Sequence, residues 1–290
     1  MTKTIPQLTA ATLPVDLTSL MEISIPGGGS RKLPLSAISP GAVSDYAQQF
    51  VYFDGTAYLK RSTSLLVTNS QVGTTSFWYN DYGRNPSTKY ILGNDSWING
   101  LGFGIAIGFQ QGSGGIQVAA SINSTIDDTN IIAAAAVPGN LWVPGQPNHV
   151  LASWDATGLA LFGVAINGRV ILDGVSARAT NKIIDYTASD DSGNPGFLAG
   201  SADLSDQTIG ALADVFLDTQ NAIVNSKNSI AQADVRKFID FYGNPMNPGA
   251  DGSGYLGAQP ALFFTGNAAA FPTNKGYGGA FVLTGSLTDV

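Results

Sequence analysis

Residues 148–173, NHVLASWDATGLALFGVAINGRVILD, decide the fold. Val150, Ala152 and Trp154 alternate onto one face of an extended segment, and His149, Leu151 and Ser153 onto the other. Asp155, Ala156, Thr157 and Gly158 make a polar turn closed by glycine. Phe162, Val164 and Ile166 then share a face, and Asn167-Gly168 follows, a strong hairpin signal because both turn residues take positive φ. Val170, Ile171 and Leu172 return as a third strand. The pattern predicts an antiparallel meander whose large apolar residues lie on one face, and that face requires a second sheet to cover it.

The rest of the chain has the composition such a sandwich needs. Its 290 residues include 35 Gly and 14 Pro, with only 12% charged residues, the profile of an all-β protein with many turns. A net charge of -7 argues against a nucleic-acid partner. There is no cysteine, so no disulfide contributes to stability. Residues 1–14, MTKTIPQLTAATLP, contain no uninterrupted apolar stretch of the signal-peptide type. The longest apolar run, 131–137, is too short to cross a bilayer. A soluble protein made in a cytoplasm is the expectation.

The form H-V-x-x-x-W-D at 149–155, followed by a hydrophobic run and Ile166-Asn167-Gly168, resembles the central hairpin of the concanavalin A-like, laminin-G-type jelly-roll domains. Other pieces arrive in the order of that family. VYFDGTAYLK (51–60), turning at Asp54-Gly55, resembles its first strand pair, and TSFWYN (75–80) its next core strand. FLAGS (197–201) looks like its apolar strand closing on glycine, and IGALADVFLD (209–218) like its G-x-L-A-x-V-x-L strand. Phe77 and Tyr79 share one face of their strand and Trp78 takes the other, so one of these faces needs a further layer or a ligand. Residues 101–109, 116–122 and 131–137 read as further strands. Residues 230–242 read as one helix, with Ser229 as N-cap, Ile230, Val235, Phe238 and Phe241 or Tyr242 on one side, and Gly243-Asn244-Pro245 as the stop. The resemblance implies an all-β fold: a concanavalin A-like β-sandwich jelly roll over 40–245, carrying one short helix.

The two ends differ. Residues 1–39 hold Pro6, Pro14, Pro26, Pro34 and the triplet Gly27-Gly28-Gly29, with two short strand candidates that cannot bury a core alone. This segment is similar to the N-terminal segments of tailed-bacteriophage fibre, spike and related virion proteins, which implies an arm anchoring the chain to a particle. Residues 246–290 are Gly- and Ala-rich, with strand candidates at 261–265 and 280–284. They resemble C-terminal tails of phage structural proteins and are expected to form a C-terminal Gly-rich hairpin.

The chemistry the residues permit is narrow. Retaining glycoside hydrolysis needs two carboxyl groups about 5 Å apart. Glu22 is the only glutamate and lies in the N-terminal arm, so the Glu-Asp-Glu strand motif of the concanavalin A-like glucanases cannot exist here. Asp127-Asp128 and Asp190-Asp191 fall in turn-like stretches, where side-chain capping is the favoured role. A Ser-His-Asp triad would have to use His149, the only histidine, which begins a core strand and is expected to be structural; no G-x-S-x-G elbow surrounds any serine. One histidine and no cysteine exclude the usual zinc sites. Gly112-Ser113-Gly114-Gly115 has no Lys-Ser/Thr continuation and is no P-loop. No catalytic residue is expected. Calcium is the one cofactor the resemblance brings: Asp190, Asp191, Asp203 and Asp206 flank the Phe197 strand and offer the hard oxygen ligands it requires. Carbohydrate binding is the remaining chemistry, with Tyr82, Tyr90, Trp97, Asn94 and Asp95 in the loop 81–100; Trp97 is either a stacking platform, or a cap packed on the sheet edge or buried against a neighbouring subunit.

The resemblance therefore implies a bacteriophage virion structural protein: a fibre, spike or capsid-decoration subunit. Its partners would be other virion proteins, further copies of itself as a homotrimer or other homo-oligomer, and a host-surface glycan, with neither nucleic acid nor membrane insertion. The rival readings are a polysaccharide-degrading enzyme of the virion and a purely structural brace without a ligand.

Overall fold

The computed structural model describes residues 20–25, 28–34, 44–61, 63–82, 89–93, 103–110, 115–124, 129–137, 141–158, 161–171, 175–177, 181, 183–184, 186–187, 197–199 and 207–290. The chain divides into two compact units, Met1–Val43 and Ser44–Val290. In chain order the elements are β1 (Leu20–Ile25), β2 (Gly28–Pro34), β3 (Val51–Asp54), β4 (Tyr58–Lys60), β5 (Val72–Asn80), β6 (Lys89–Gly93), β7 (Phe103–Gln110), β8 (Gly115–Ser124), β9 (Thr129–Val137), β10 (Asn148–Asp155), β11 (Leu161–Ile166), β12 (Arg169–Ile171), β13 (Val175–Ala177), β14 (Phe197–Leu198), β15 (Ile209–Asp218), β16 (Val224–Asn225), β17 (Ser229–Ile230), α1 (Gln232–Val235), α2 (Ser253–Leu256), β18 (Leu262–Phe264), β19 (Val282–Thr284) and β20 (Thr288–Asp289).

The first unit contains an antiparallel hairpin, β1 against β2, with Glu22 opposite Lys32 and Ile25 opposite Gly28. The second unit is a β-sandwich jelly roll. Its first sheet runs β12-β11-β10-β5-β15-β3-β20, with β18 also on β15; its second runs β13-β9-β8-β7-β6-β14-β4-β19. The meander forms one end of the first sheet, with β12 at its edge. Val150 pairs with Ile166 and Trp154 with Phe162, while β12 returns against β11 through Ile166 and Arg169. The turn is the expected one, with Asn167 at φ 50° and Gly168 at φ 77°. Strand β10 continues the sheet onto β5, placing His149 opposite Trp78 and Ser153 opposite Thr74.

The alternation of these strands sorts their side chains into two cores. Val150, Ala152, Trp154, Phe162, Val164, Phe77, Tyr79 and Leu212 face the second sheet, where they meet Leu59, Ile91 and Leu198. The opposite face is also covered. Trp78, Leu151, Ala165, Ala213 and Phe216 pack under Ile230, Val235, Phe238, Ile239 and Tyr255. A further layer, built from the chain after β15, thus answers the need that Trp78 creates. Each fully buried Phe or Leu here contributes about 2 kcal/mol by removal from water.

Three local expectations are corrected. The predicted helix over 230–242 shrinks to the single turn of α1, whose cap residue is Ala231 without a side-chain cap bond; Ser229 belongs to β17. Phe238 and Ile239 are buried, whereas Phe241 and Tyr242 are exposed. Past α1, the Asp240 carboxylate accepts from the Tyr242 and Asn244 amides, each at 2.8 Å, and holds a turn where the helix is expected to continue. Asp54-Gly55 does not close a hairpin: β3 lies in the first sheet and β4 in the second. The Asp54 Oδ1 accepts from Thr56 N and Ala57 N, and this cap turns the chain from one sheet to the other. The C-terminal strands form where expected but not as a hairpin, since β18 pairs with β15 and β19 with β4.

Candidate functional site

Among the residues expected to bind a glycan, the structure describes the side chain of Tyr82 only. Tyr90 lies in β6, but its side chain lies outside the described residues, as do Asn94, Asp95 and Trp97. The same holds for the calcium candidates Asp190, Asp191, Asp203 and Asp206. Among the described residues no group of three or more His, Asp or Glu side chains gathers to hold a metal ion.

Tyr82 stands just past the end of β5, and three consecutive residues divide the work there. Asn80 Oδ1 accepts the Tyr82 amide at 2.9 Å and closes a tight turn. Tyr82 adopts φ 53°, a left-handed conformation that costs a non-glycine residue about 1 kcal/mol and marks a locally over-determined backbone. Asp81 points inward, 1% exposed, and accepts from the Trp142 indole N–H at 3.2 Å and the Gly145 amide at 2.7 Å. Tyr82 points outward, its ring 43% exposed and set edge-on against Tyr52, centroids 5.6 Å apart. Partial burial, then the neighbouring Tyr52, hold its phenol above the usual range, so it is a neutral donor and acceptor at neutral pH.

The floor beneath this end is an amide lattice. The Asn148 carboxamide accepts from Val143 N at 2.9 Å and from Asn167 Nδ2 at 2.8 Å, and donates to the carbonyls of Val143 and Gln146. Asn167 Nδ2 also reaches Leu141 O at 2.8 Å. The loop 141–147 is thereby tied to the strand ends, and Trp142 packs 6.1 Å from Tyr79. These amides are spent on holding the loop. What remains for a ligand is a fixed aromatic edge, Tyr82 with Tyr52, beside a rigid polar rim. Sequence reasoning missed Tyr52; its signal was present, because Val51 and Phe53 on either side point into the core and leave it on the other face.

His149 is the other residue singled out by sequence, and it has a structural role. It is fully buried; its Nε2 shares a 2.8 Å hydrogen bond with Ser76 Oγ, and its Nδ1 has no partner among the described residues. The ring packs between Trp78, at 5.0 Å, and Phe238, at 6.4 Å. Burial pushes its pKa down to about 3. Without a carboxylate on Nδ1 and without solvent access, this imidazole cannot work as the base of a triad.

A second exposed aromatic group lies where the sequence predicts the apolar side of a helix. Phe241 and Tyr242 are 70% and 62% exposed, on the turn that Asp240 holds.

No protein-family model matches the sequence, and no curated protein sequence matches it. Solved structures do match. The heptameric SAP-like pentraxin of Limulus polyphemus superposes with a TM-score of 0.51 at 14% identity, covering 85% of this chain and 96% of the pentraxin. The tailspike protein 2 of Escherichia coli O157:H7 bacteriophage CAB120 superposes at 0.39 and 13% identity over 73% of this chain, which spans 25% of the tailspike. A carbohydrate-binding module of the Ruminococcus gnavus IT-sialidase, bound to α2,3-sialyllactose, does so at 0.39 and 16% identity, covering 59% of this chain and 90% of the module. At these identities the likeness is one of fold, and the second unit has the β-sandwich jelly-roll fold.

Proposed function

We propose that this chain is a structural protein of a bacteriophage virion, a fibre, spike or decoration subunit. In this reading residues 1–39 join it to other virion proteins, and the jelly roll faces outward as a homo-oligomeric adhesin for a host-surface glycan. The observation that carries the binding role is Tyr82. A 43% exposed ring on a pinned left-handed backbone, edged by Tyr52, is a pre-organised stacking surface. Sugar C–H faces stack on such rings, and the phenol supplies a hydrogen bond. The reading requires neither catalysis nor a cofactor.

The test is electron cryo-microscopy of purified particles at side-chain resolution, followed by glycan-array binding of the full chain. The reading expects residues 1–39 embedded among capsid or tail proteins, the jelly roll in solvent, and array binding abolished by Tyr82→Ala. A jelly roll covered on both faces by neighbours would make the protein a brace. Its absence from particles would end the virion role.

A further inference from the structure

The turn after α1 carries a second surface with the chemistry of a ligand site, remote in sequence from Tyr82. Phe241 and Tyr242 are adjacent, 70% and 62% exposed, and their rings meet at 90° with centroids 5.8 Å apart, forming an open corner. The turn that carries the corner is tightly bonded. Asp240, 2% exposed, aims its carboxylate inward at four donors: Ser44 N (3.3 Å), Tyr242 N (2.8 Å), Asn244 N (2.8 Å) and Asn244 Nδ2 (3.0 Å). Asp240 N in turn donates to Asn244 O at 2.8 Å, and Gly243, at φ 90°, supplies the left-handed residue that closes the loop. A tightly bonded turn loses little backbone freedom when a ligand arrives.

A cation completes the corner. The Arg236 guanidinium lies 5.5 Å from the Phe241 ring centroid, and its Nη1 donates to Asp240 O. No carboxylate among the described residues pairs with it. Asp234 is taken by Lys237 at 2.8 Å, and Asp240 is turned to the amides. In a chain of net charge -7, an exposed aromatic corner beside an arginine that pairs with no carboxylate among the described residues is suited to an anion. The surrounding residues narrow the class. Gln232, Lys237, Gly243 and Asn244 are exposed and polar, so the apolar area is two rings wide. A protein partner needs roughly 800 Å² on each side. A six-membered ring with one apolar face, hydroxyls at its rim and one acidic group fits a patch of this size.

We infer that Arg236, Phe241 and Tyr242 form a binding corner for an acidic sugar residue, with the sugar face stacked on one ring, its edge against the other, and its carboxylate on the guanidinium. This site is separate from the Tyr82 edge and does not rest on it.

The test is saturation-transfer difference NMR on the full chain with four probes: N-acetylneuraminic acid and glucuronic acid, against glucose and N-acetylglucosamine. The acidic sugars are expected to show transfer and the neutral ones much less. Phe241→Ala and Tyr242→Ala should each weaken the acidic sugars about tenfold, and Arg236→Gln should erase the preference for acid over neutral. Both rings are exposed, so unchanged thermal unfolding will show that these variants remain folded. Absence of transfer from the acidic sugars in the unmodified chain overturns the inference. So does transfer that persists in the Phe241→Ala/Tyr242→Ala double variant, or that is lost in Tyr82→Ala alone, an outcome that would leave the Tyr82 reading standing. Sedimentation showing self-association that Phe241→Ala abolishes would assign the corner to contact between copies, and would overturn the inference as well.

Discussion

Trp154 and His149 stand on the same strand, on opposite faces of the first sheet, and their surroundings differ in kind. Trp154 lies between the two sheets, among aliphatic and aromatic side chains, and its indole N–H donates to Tyr186 Oη at 2.8 Å, which donates on to Val72 O at 2.6 Å. His149 lies under the covering layer with Ser76, Thr74 and Ser153 on its face. Polar side chains survive on this outer face because the covering chain brings its own backbone partners. Thr74 donates to Asn221 O at 2.8 Å, and Ser153 accepts from Ile223 N at 2.9 Å. The sheet-on-sheet interface leaves few such partners, since most main-chain groups are consumed in the ladders; Thr75, on that inner face, reaches Phe216 O at 2.8 Å where the β5–β15 register shifts. The inner face is therefore selected mainly by apolarity and volume, and the outer face by an apolar core together with matched hydrogen bonds to the covering chain.

The comparison can be broken by truncation on each side. Trp154→Ala should cost about 4 kcal/mol, read from the urea midpoint, because the cavity lies where two sheets cannot collapse. A loss below about 1.5 kcal/mol would mean that the inner face is not the main core. Phe238→Ala, in the covering layer, should cost about 3 kcal/mol. A negligible effect there would reduce the layer to a loose flap and make the outer face effectively a surface.

The pH dependence sharpens the contrast. His149 is held neutral, with its pKa pushed from 6.5 to about 3 by burial. As pH falls below about 6.5 the unfolded chain takes up a proton that the folded chain refuses. The stability present above that value is therefore lost at about 1.4 kcal/mol per pH unit, down toward the folded pKa. Asp214 titrates with the opposite sign. It is 1% exposed, and burial raises its pKa against the bonds from Thr265, Gln48 and Tyr46. Its contribution is present at low pH and lost as pH rises through that raised value. The His149 slope is therefore read as the difference between the protein and His149→Gln, by urea unfolding between pH 4.5 and 7. Equal slopes for the two would show that the imidazole reaches water in the folded state. The smallest effect is expected at the surface: Tyr82→Ala should shift stability by less than about 0.5 kcal/mol, and a larger shift in thermal unfolding would mark Tyr82 as part of the framework.

Much of the fold was legible because strand alternation is a local code. The meander, the Asn167-Gly168 turn and the division of Phe77 and Tyr79 from Trp78 all follow from period 2. Pairings were legible only where a short turn joins the partners. Asp54-Gly55 looks like a hairpin turn, yet it carries the chain between sheets, and β18 and β19 find partners far away in sequence. Residues 230–242 misled for a related reason. Their apolar spacing suits a helix, but the Asp240 carboxylate competes for the amides of Tyr242 and Asn244. Of the residues proposed to bind a ligand, Tyr82 was legible from its aromatic, turn-rich setting. Tyr52, Phe241 and Tyr242 were not, because exposure of an aromatic ring is a property of what fails to cover it.

By itself, then, the sequence determined that this is an all-β chain with a two-faced central meander, no disulfide and no glutamate pair for glycoside hydrolysis. The tertiary structure decided which strands pair across long separations, that a second core covers the outer face, and which rings remain in solvent. Alternation and turn chemistry act over a few residues and can be read along the chain. Partnership and exposure depend on segments up to two hundred residues away, such as Tyr46 and Ser44 on Asp214 and Asp240, whose approach no local pattern encodes.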